Sequence, residues 1–464
     1  MMPYRLLLDR VHDAALQFLD RLPGRPVTAT ATFAELRARL GGAWCDAPQD
    51  PDAVIASLLR DAEPGVVSTA GPRYFGFVTG GSLPVAVAAE WMLSAWDQNG
   101  ALHVMSPAAS ALEDIAASWV LDALSLPRTA SVGFVTGAHM ANVTALAAAR
   151  HEVLRREAWD VEARGLQGAP PLTVFASAEA HTSIGAACRF VGVGADTIVR
   201  IPADDQGRML PGPLAAAMDR ASGARIVCAQ AGNVNTGACD PFSEIVDIAR
   251  ERNAWVHVDG AFGLWAAAVP ARAHLVNGVD RADSWTTDGH KWLNVPYDSG
   301  IVIVAHPAAH RAAMSQTAAY LTPAEGEERD GMDWTPEASR RPRGIPIYAV
   351  LRTLGRSGLA ELVDRCCRLA SLFADRLRSE PGVSILNEVV LNQVLVRFSS
   401  PSGKNVTDQV IAAVQAAGVC WCGGTMWAGT PAMRISVSNW RTSEDDIDRS
   451  AASMLESFER VRAT

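Results

Sequence analysis

Long apolar runs, blocks of charge and a signal sequence are all missing from this chain of 464 residues. No uncharged apolar stretch reaches the roughly 18 residues that a membrane helix needs. Charge returns after three leucines in Tyr4–Arg10, so the N-terminus has no signal-peptide core. The net charge of −9 contains no basic stripe that would attract nucleic acid or an anionic membrane. We therefore expect a cytoplasmic protein that binds neither nucleic acid nor membrane.

Cysteine is scarce, and the spacing of the cysteines matches no disulfide framework or metal-binding motif. Of the eight cysteines, Cys366 and Cys367 are adjacent, and one residue separates Cys420 from Cys422. Paired CxxC motifs, which would indicate zinc or redox chemistry, do not occur. We expect reduced, mostly buried thiols and no metal site.

Short apolar or β-branched runs alternate with helical ones between about residues 130 and 305. Such alternation predicts an α/β fold with a mostly parallel sheet and helices on both faces. Strands at the sheet centre are buried on both sides, so they need no period-two pattern. The predicted strands are Ser131–Val135, Thr173–Ala176, Thr197–Ile201, Arg225–Ala229, Trp255–Val258, Ser284–Thr287 and Gly300–Val304. Helices are predicted at Ala141–Glu157, Ile184–Val191, Pro211–Ala221 and Pro241–Arg252.

The chain length exceeds one ordinary core and predicts more than one domain. We expect a helical segment over residues 1–70, a large domain over 71–310 and a small α+β domain over 346–464. Between the last two, residues 311–345 include a charged, proline-bearing span that is typical of a mobile loop. The small domain is predicted to hold a long helix from Tyr348 to Glu380, strands near Leu391–Phe398 and Met433–Val437, and a helix at Val406–Ala417.

The most informative stretch runs from Asp283 to Asn294 and places Lys291 directly after His290. Thirty-two residues before this lysine, Asp259 ends an apolar strand. A lysine that forms a Schiff base and an aspartate that pairs with a pyridinium nitrogen are the two groups that a pyridoxal phosphate (PLP) enzyme needs. Together they predict a PLP site.

Three further segments follow predicted strands, where α/β sheets place ligands. Gly137, Ala138 and His139 open a helix whose free N–H groups would hold a phosphate, although a plain strand–helix turn has the same pattern. His181 would stack on a flat cofactor ring, or else cap a helix. Asn233 would reach the cofactor, or else shape a turn, as asparagine often does.

Five motifs, in this order, resemble those of group II PLP-dependent amino-acid decarboxylases, which include the aromatic-L-amino-acid, histidine and glutamate decarboxylases. The resemblance extends from about residue 70 to the C-terminus and implies the fold-type I architecture. The motifs begin at Met105 (MSPAASALE), Ala180 (AHTS), His257 (HVDGA), Asp288 (DGHKWL) and Met433 (MRIS).

The resemblance implies a role for each matching residue. Lys291, Asp259 and His181 would be catalytic, with Ala261 and His181 packed against the ring. Gly137, Ala138, His139 and His290 would surround the phosphate, together with Gly358 of the partner subunit in a homodimer. Asn233 and Asp288 are further candidates for contact with the cofactor. Arg434 would lie near the substrate carboxylate, and residues 1–70 would wrap the other subunit. From the sequence itself, Phe77 and Thr79 are further candidates for contact with the substrate, although aromatic residues at such spacings are more often plain core.

Two departures from the family pattern bear on the reaction. Asp288 stands where several members have asparagine, and Gly331 aligns with the loop tyrosine that protonates the substrate in aromatic decarboxylases. We predict α-decarboxylation of an L-amino acid, with an aromatic side chain as one option. The alternatives are oxidative deamination to an aldehyde, or an aldolase, lyase or aminotransferase reaction.

Overall fold

The computed structural model describes residues 4–316 and 328–463. Three helices form an N-terminal arm: α1 (Tyr4–Arg21), α2 (Phe33–Leu40) and α3 (Pro51–Ala62). The first ends where Leu22-Pro-Gly-Arg-Pro interrupts the helical pattern. The second begins with a capping box, in which Thr32 and Glu35 satisfy each other's backbone N–H groups. None of the three helices contains a buried residue.

The segment between α1 and α2 attaches the arm to the rest of the molecule. Leu22 and Val27 are buried, and the Val27 N–H donates to the Gly418 carbonyl at 2.9 Å. Two helices follow, α4 (Pro84–Trp96) and α5 (Pro107–Ala123), and each has proline in its first turn, where a missing N–H costs nothing.

A seven-stranded sheet forms the centre of the molecule, as the sequence predicts. Its order is β1-β7-β6-β5-β4-β2-β3, and every pairing is parallel except those of β7 with β1 and β6. The elements in chain order are β1 (Ser131–Val135), α6 (Ala138–Arg156), α7 (Val161–Arg164), β2 (Leu172–Ser177), α8 (Thr182–Phe190), β3 (Val199–Ile201), α9 (Pro211–Arg220), β4 (Ala224–Gln230), α10 (Phe242–Glu251), β5 (Trp255–Asp259), β6 (Ser284–Asp288) and β7 (Gly300–Val304).

Both faces of the sheet are covered by helices. Val227 and Ala229 of β4 belong to the apolar core that includes α10, whereas Ile226 and Cys228 belong to the core on the α6 side. Every residue of β1, β5, β6 and β7 is buried. This two-sided burial explains why the strands read as continuous apolar runs.

The C-terminal part packs a second, four-stranded antiparallel sheet, of order β10-β11-β9-β8, against the long helix α12. Helix α12 contains one break, at Gly355, where φ is +60° and favours glycine. The elements are α11 (Pro307–Met314), α12 (Gly344–Arg378), β8 (Val383–Ile385), β9 (Gln393–Phe398), α13 (Thr407–Ala417), β10 (Gly423–Trp427), β11 (Thr430–Ser436) and α14 (Glu444–Arg462).

Neither a membrane-spanning helix nor a metal-binding cluster occurs in the described part of the chain. Over residues 4–316 and 328–463, no helix is both long and apolar enough to cross a bilayer. In the same ranges, no group of three or more acidic, histidine or cysteine side chains is arranged to hold a metal ion.

Candidate active site

A cavity of about 310 Å³ lies at the carboxyl ends of the central strands, where parallel sheets place their ligands. The turn after β1, the start of α8, the ends of β4 and β5 and the segment after β6 all contribute side chains to it. Its lining residues are Phe77, Gly137, Ala138, His139, His181, Ser183, Gln230, Gly232, Val234, Asp259, Ala261, Phe262, Asp288, His290, Lys291 and Tyr297. The fold thus brings together most of the residues that the sequence singles out.

Lys291 reaches into this cavity beside Asp288. Its Nζ lies 3.1 Å from Asp288 Oδ2, and the other oxygen of that carboxylate accepts the backbone N–H of Ala138 at 2.6 Å. Asp288 therefore links the lysine to the N-terminus of α6. Lys404 is the only other lysine in the sequence, and it is exposed in the loop between β9 and α13.

Asp259 is buried among neutral donors. Asn142 Nδ2 and Ser183 Oγ donate to its Oδ2 at 3.0 and 3.3 Å, and the Ala261 N–H donates to its Oδ1 at 3.2 Å. Among the described residues, no lysine or arginine forms a salt bridge with it. A buried carboxylate without a cationic partner is costly, so this donor set suits a ligand that carries a protonated ring nitrogen.

The opposite end of the cavity suits a phosphate. A Cβ at Gly137 would lie 3.1 Å from the His290 ring, so any larger residue would have to displace that ring by a few tenths of an ångström. His290 Nδ1 accepts the Ser299 N–H at 3.2 Å, which places the hydrogen of the neutral ring on Nε2. Burial lowers the pKa of His290, so the ring is a neutral donor. His139 lies in the first turn of α6, with its ring centroid 5.7 Å from that of Phe190.

His181 is the N-cap of α8 and lines the cavity as well. Its Nδ1 accepts the Ser183 N–H at 3.2 Å, so capping and lining are done by the same ring. Burial lowers its pKa, and the nearby Asp259 charge opposes that shift. The two roles that the sequence allows for His181 are therefore compatible.

The predicted substrate residues lie at or beside the cavity. Phe77 lines it and is largely exposed, and its ring centroid is 5.4 Å from that of Trp421. Thr79 Oγ1 is 3.4 Å from the hydroxyl of Tyr297, whose ring stacks on His290 at 4.4 Å. Arg434, on β11, donates to the carbonyl of the cavity residue Val234 at 3.5 Å.

Two predicted cofactor residues do not line this cavity. Asn233 is buried, and its Oδ1 accepts the N–H groups of Asn235 and Thr236 at 2.9 and 3.2 Å, so it shapes the turn. Gly358 lies within α12, three residues after the break at Gly355. In this protomer it stands outside the lining of the cavity.

Gly331 is buried in a short turn over residues Gly331–Trp334 and does not line the cavity. A side chain there would collide with the guanidinium of Arg340 and the carbonyl of Gly100. Arg340 is itself fixed by a buried ion pair with Glu113. In this conformation the position therefore has no room for a side chain, and the alignment of Gly331 with the family's loop tyrosine stays a prediction. Tyr320, the tyrosine that precedes this loop in the sequence, lies outside the described residues.

Asn142, Ser183 and Tyr297 are site residues that sequence reasoning missed. Asn142 lies one helical turn after Ala138, which puts it on the same face of α6 as the helix N-terminus. That spacing is the signal that would have found it. Ser183 follows His181 by two residues, within the Ala180 motif.

A lysine, a buried aspartate and a glycine turn at the ends of parallel strands are the elements of a PLP site. Residues 35–399 match the pyridoxal-dependent decarboxylase conserved domain. The chain therefore belongs to the family of pyridoxal-dependent decarboxylases. It is a fold-type I enzyme of the carboxy-lyase class, its cofactor is PLP, and its reaction is the decarboxylation of an amino acid.

The relatives differ in the side chain that they recognise. Tryptophan decarboxylase 1 of Oryza sativa subsp. japonica is 30% identical over 372 residues, which cover 76% of this chain and 71% of the relative. L-2,4-diaminobutyrate decarboxylase of Rhizobium meliloti is 30% identical over 380 residues, covering 79% and 74%. The crystal structure of Oryza sativa TDC with PLP and tryptamine superposes with a TM-score of 0.92 at 24% identity over 100% of both chains.

Proposed function

We propose that this decarboxylase acts on an aromatic L-amino acid and releases the corresponding amine. The observation that carries the proposal is the lining of the cavity by the rings of Phe77, Phe262 and Tyr297. Aromatic rings are favourable surfaces for another ring. Tryptophan decarboxylase 1, whose name gives an aromatic substrate, is among the relatives at 30% identity.

The two carboxylates of the cavity argue against an amine-bearing side chain as the preferred substrate. A diamine would need a free acidic partner for its second ammonium group. Asp259 already accepts from Asn142 and Ser183, and Asp288 pairs with Lys291. Asp259 is thus assigned to the cofactor ring nitrogen and Asp288 pairs with Lys291, so neither is free to bind a second ammonium group.

Each site residue has a proposed task toward the cofactor or the substrate. Bound PLP supplies an aldehyde and a ring that accepts the electrons of the broken Cα–carboxylate bond. Lys291 holds the aldehyde end, and Asp259 pairs with the ring nitrogen. Ala261 and His181 pack on the ring, and Arg434 holds the substrate carboxylate. Gly137, Ala138, His139 and His290 surround the phosphate, with Asp288 beside them.

We also propose a cytoplasmic homodimer in which the arm, residues 1–70, covers the partner subunit. The arm exposes Leu8, Phe33, Trp44 and Leu58, and Trp44 is 99% exposed. An apolar surface of this kind marks an interaction site. A second copy would bring Gly358 near the partner's phosphate. The cysteines of the described residues are all unpaired, as expected for a reducing compartment.

A substrate panel tests the proposed function. The holoenzyme is incubated with tryptophan, tyrosine, phenylalanine, 2,4-diaminobutyrate and glutamate, and CO₂, amine and aldehyde are followed by mass spectrometry. We expect equal yields of CO₂ and amine from an aromatic substrate. A preference for diaminobutyrate or glutamate would contradict the aromatic assignment. The decarboxylases among the relatives favour amine release over the aldehyde-forming alternative, and an aldehyde yield that matches the CO₂ yield would reverse that choice.

A further inference from the structure

A chain of buried hydrogen bonds leads from the Asp259 carboxylate into the interior of the sheet. Asn142 Nδ2 donates to Asp259 Oδ2 at 3.0 Å, and Asn142 Oδ1 lies 2.9 Å from His257 Nε2. His257 Nδ1 lies 2.9 Å from Ser284 Oγ, which accepts the indole N–H of Trp255 at 2.8 Å. Asn142, His257, Ser284 and Trp255 are all completely buried.

The chemistry of each group fixes the direction of this chain. A carboxylate only accepts, so Asn142 Nδ2 faces Asp259 and Asn142 Oδ1 faces His257 Nε2, which must carry a hydrogen. Nδ1 of the neutral His257 ring is then an acceptor, so Ser284 Oγ accepts from the indole of Trp255 and gives its own hydrogen to His257 Nδ1. The hydrogen of the neutral imidazole is then on Nε2, and it is donated to Asn142 Oδ1. Burial lowers the pKa of His257 to about 4, which keeps the ring neutral near pH 7.

Asn142 has no hydrogen-bonding capacity left over. Its Oδ1 also accepts from Thr286 Oγ1 at 2.9 Å, and its Nδ2 also donates to Ser183 Oγ at 3.2 Å. Because His257 and Thr286 both donate to the oxygen, the amide cannot turn over without losing two bonds. Its N–H must therefore face Asp259.

We infer that Asn142 is a positioning residue for Asp259 and that His257 and Ser284 set its orientation. The inference rests on the proposed pairing of Asp259 with the cofactor ring nitrogen. By donating to Oδ2, Asn142 holds the carboxylate in one orientation and leaves its remaining acceptor positions for that pairing. Partners that orient a liganding group in this way are commonly worth roughly 10–100-fold in affinity or activity.

The test compares Asn142→Asp with Thr286→Val. The first variant keeps an oxygen for His257 and Thr286 but puts a second carboxylate where the donor to Asp259 stood. Thr286→Val is the matched control. It removes one hydrogen bond to the same Asn142 oxygen, while the remaining bond from His257 still fixes the orientation of the amide. The readouts are PLP release from diluted holoenzyme, the pH midpoint of the visible absorbance of the bound cofactor, and kcat and KM.

For Asn142→Asp we expect PLP release to increase roughly 10–100-fold and the absorbance midpoint to move by about one pH unit or more, equivalent to a tenfold change in the proton equilibrium. We expect kcat to fall while KM stays close to that of wild type, because Asn142 is completely buried and does not line the cavity. Thr286→Val should leave the midpoint unchanged. A folded Asn142→Asp enzyme with wild-type PLP release and midpoint overturns the inference.

Two more variants separate the possible failures. If Asn142→Asp does not fold, Ser284→Ala replaces it as the deciding variant, because it removes the donor that sets the His257 tautomer from a position outside the cavity. Ser284→Ala should then move the midpoint, and an unchanged midpoint overturns the inference. Asp259→Asn tests the underlying assignment. If it too leaves PLP release and midpoint unchanged, the role of Asp259 fails; if it alone changes them, only the role of Asn142 fails.

Discussion

The two-lysine composition makes the central assignment unusually easy to test. Lys291→Ala should remove the visible absorbance of the bound cofactor and the activity, because Lys404 is the only other lysine and is exposed far along the sequence. Borohydride treatment followed by peptide mass spectrometry should place PLP on Lys291 in wild type. Lys404→Ala is the control and should keep absorbance and turnover. PLP fixed to the chain in Lys291→Ala would show that the assignment is wrong.

Asp288 places a negatively charged carboxylate beside the proposed phosphate, which is also negatively charged. Its carboxylate occupies the Ala138 N–H and pairs with Lys291, so it adds a negative charge at the phosphate end. We expect Asp288→Asn to retain PLP about tenfold longer on dilution, equivalent to about 1.4 kcal/mol. Asp298→Asn, which makes the same charge change on the exposed partner of Arg343, should have little effect. Faster PLP loss from Asp288→Asn would show that its two contacts outweigh the repulsion.

At the scale of elements, the arm carries the prediction about assembly. A large apolar side chain that is buried on association contributes about 1.5–3 kcal/mol. We expect Leu8→Lys combined with Trp44→Lys to convert a two-copy species into a single-copy species in analytical ultracentrifugation. Gln49→Lys, on the same segment, is the control and should leave the mass unchanged. A wild-type protein that sediments as one copy would rule out the proposed dimer.

The strands of the large sheet could be predicted from the sequence because strands that are buried on both faces consist almost entirely of apolar residues. The seven strands of the large sheet are confirmed, since runs such as Trp255–Val258 are buried on both sides. Strands β8 and β10 were not predicted: the first has three residues and the second begins with two glycines, which favour no strand. Their pairing comes from β9 and β11, which is tertiary information.

Some residues of the candidate site could likewise be predicted from the sequence, and others could not. Lys291 and Asp259 lie in short motifs at strand ends, where chemistry is readable from sequence. Asn142 lies inside a helix with no motif around it, and only the three-dimensional meeting of α6 with β5 and β6 gives it a role. Gly331 shows the converse, because its close packing against Arg340 depends on contacts that no local sequence pattern around it contains.

For the whole molecule, buried histidines should set the acid limit of stability. Burial lowers the pKa of His310 to about 3 and that of His257 to about 4, whereas both are near 6.5 in an unfolded chain. Between roughly pH 6.5 and 4 the unfolded chain binds more protons, so stability falls as pH falls. Asp240, whose pKa burial raises to about 7, acts with the opposite sign, but two histidines outweigh one aspartate.

We therefore expect the urea midpoint of the holoenzyme to decrease steadily from pH 6.5 to 4. His310→Phe removes one titrating group and should flatten this dependence, even if it lowers stability at pH 7. His12→Phe, at an exposed position of α1, is the control and should keep the wild-type slope. A slope that is the same in His310→Phe and wild type would show that His310 does not contribute.

Helix α6 touches the cofactor site twice. Its first N–H contacts the phosphate end through Asp288, and one turn later Asn142 contacts the ring-nitrogen end through Asp259. Four residues of helix span about 6 Å, and that distance cannot stretch. The helix therefore fixes the distance between the two groups, Asp288 and Asp259, that it contacts at the two ends of the cofactor site. A substitution that shifts α6 along its axis would disturb both ends at once, whereas a side-chain change at Asp288 or Asn142 alters one end alone.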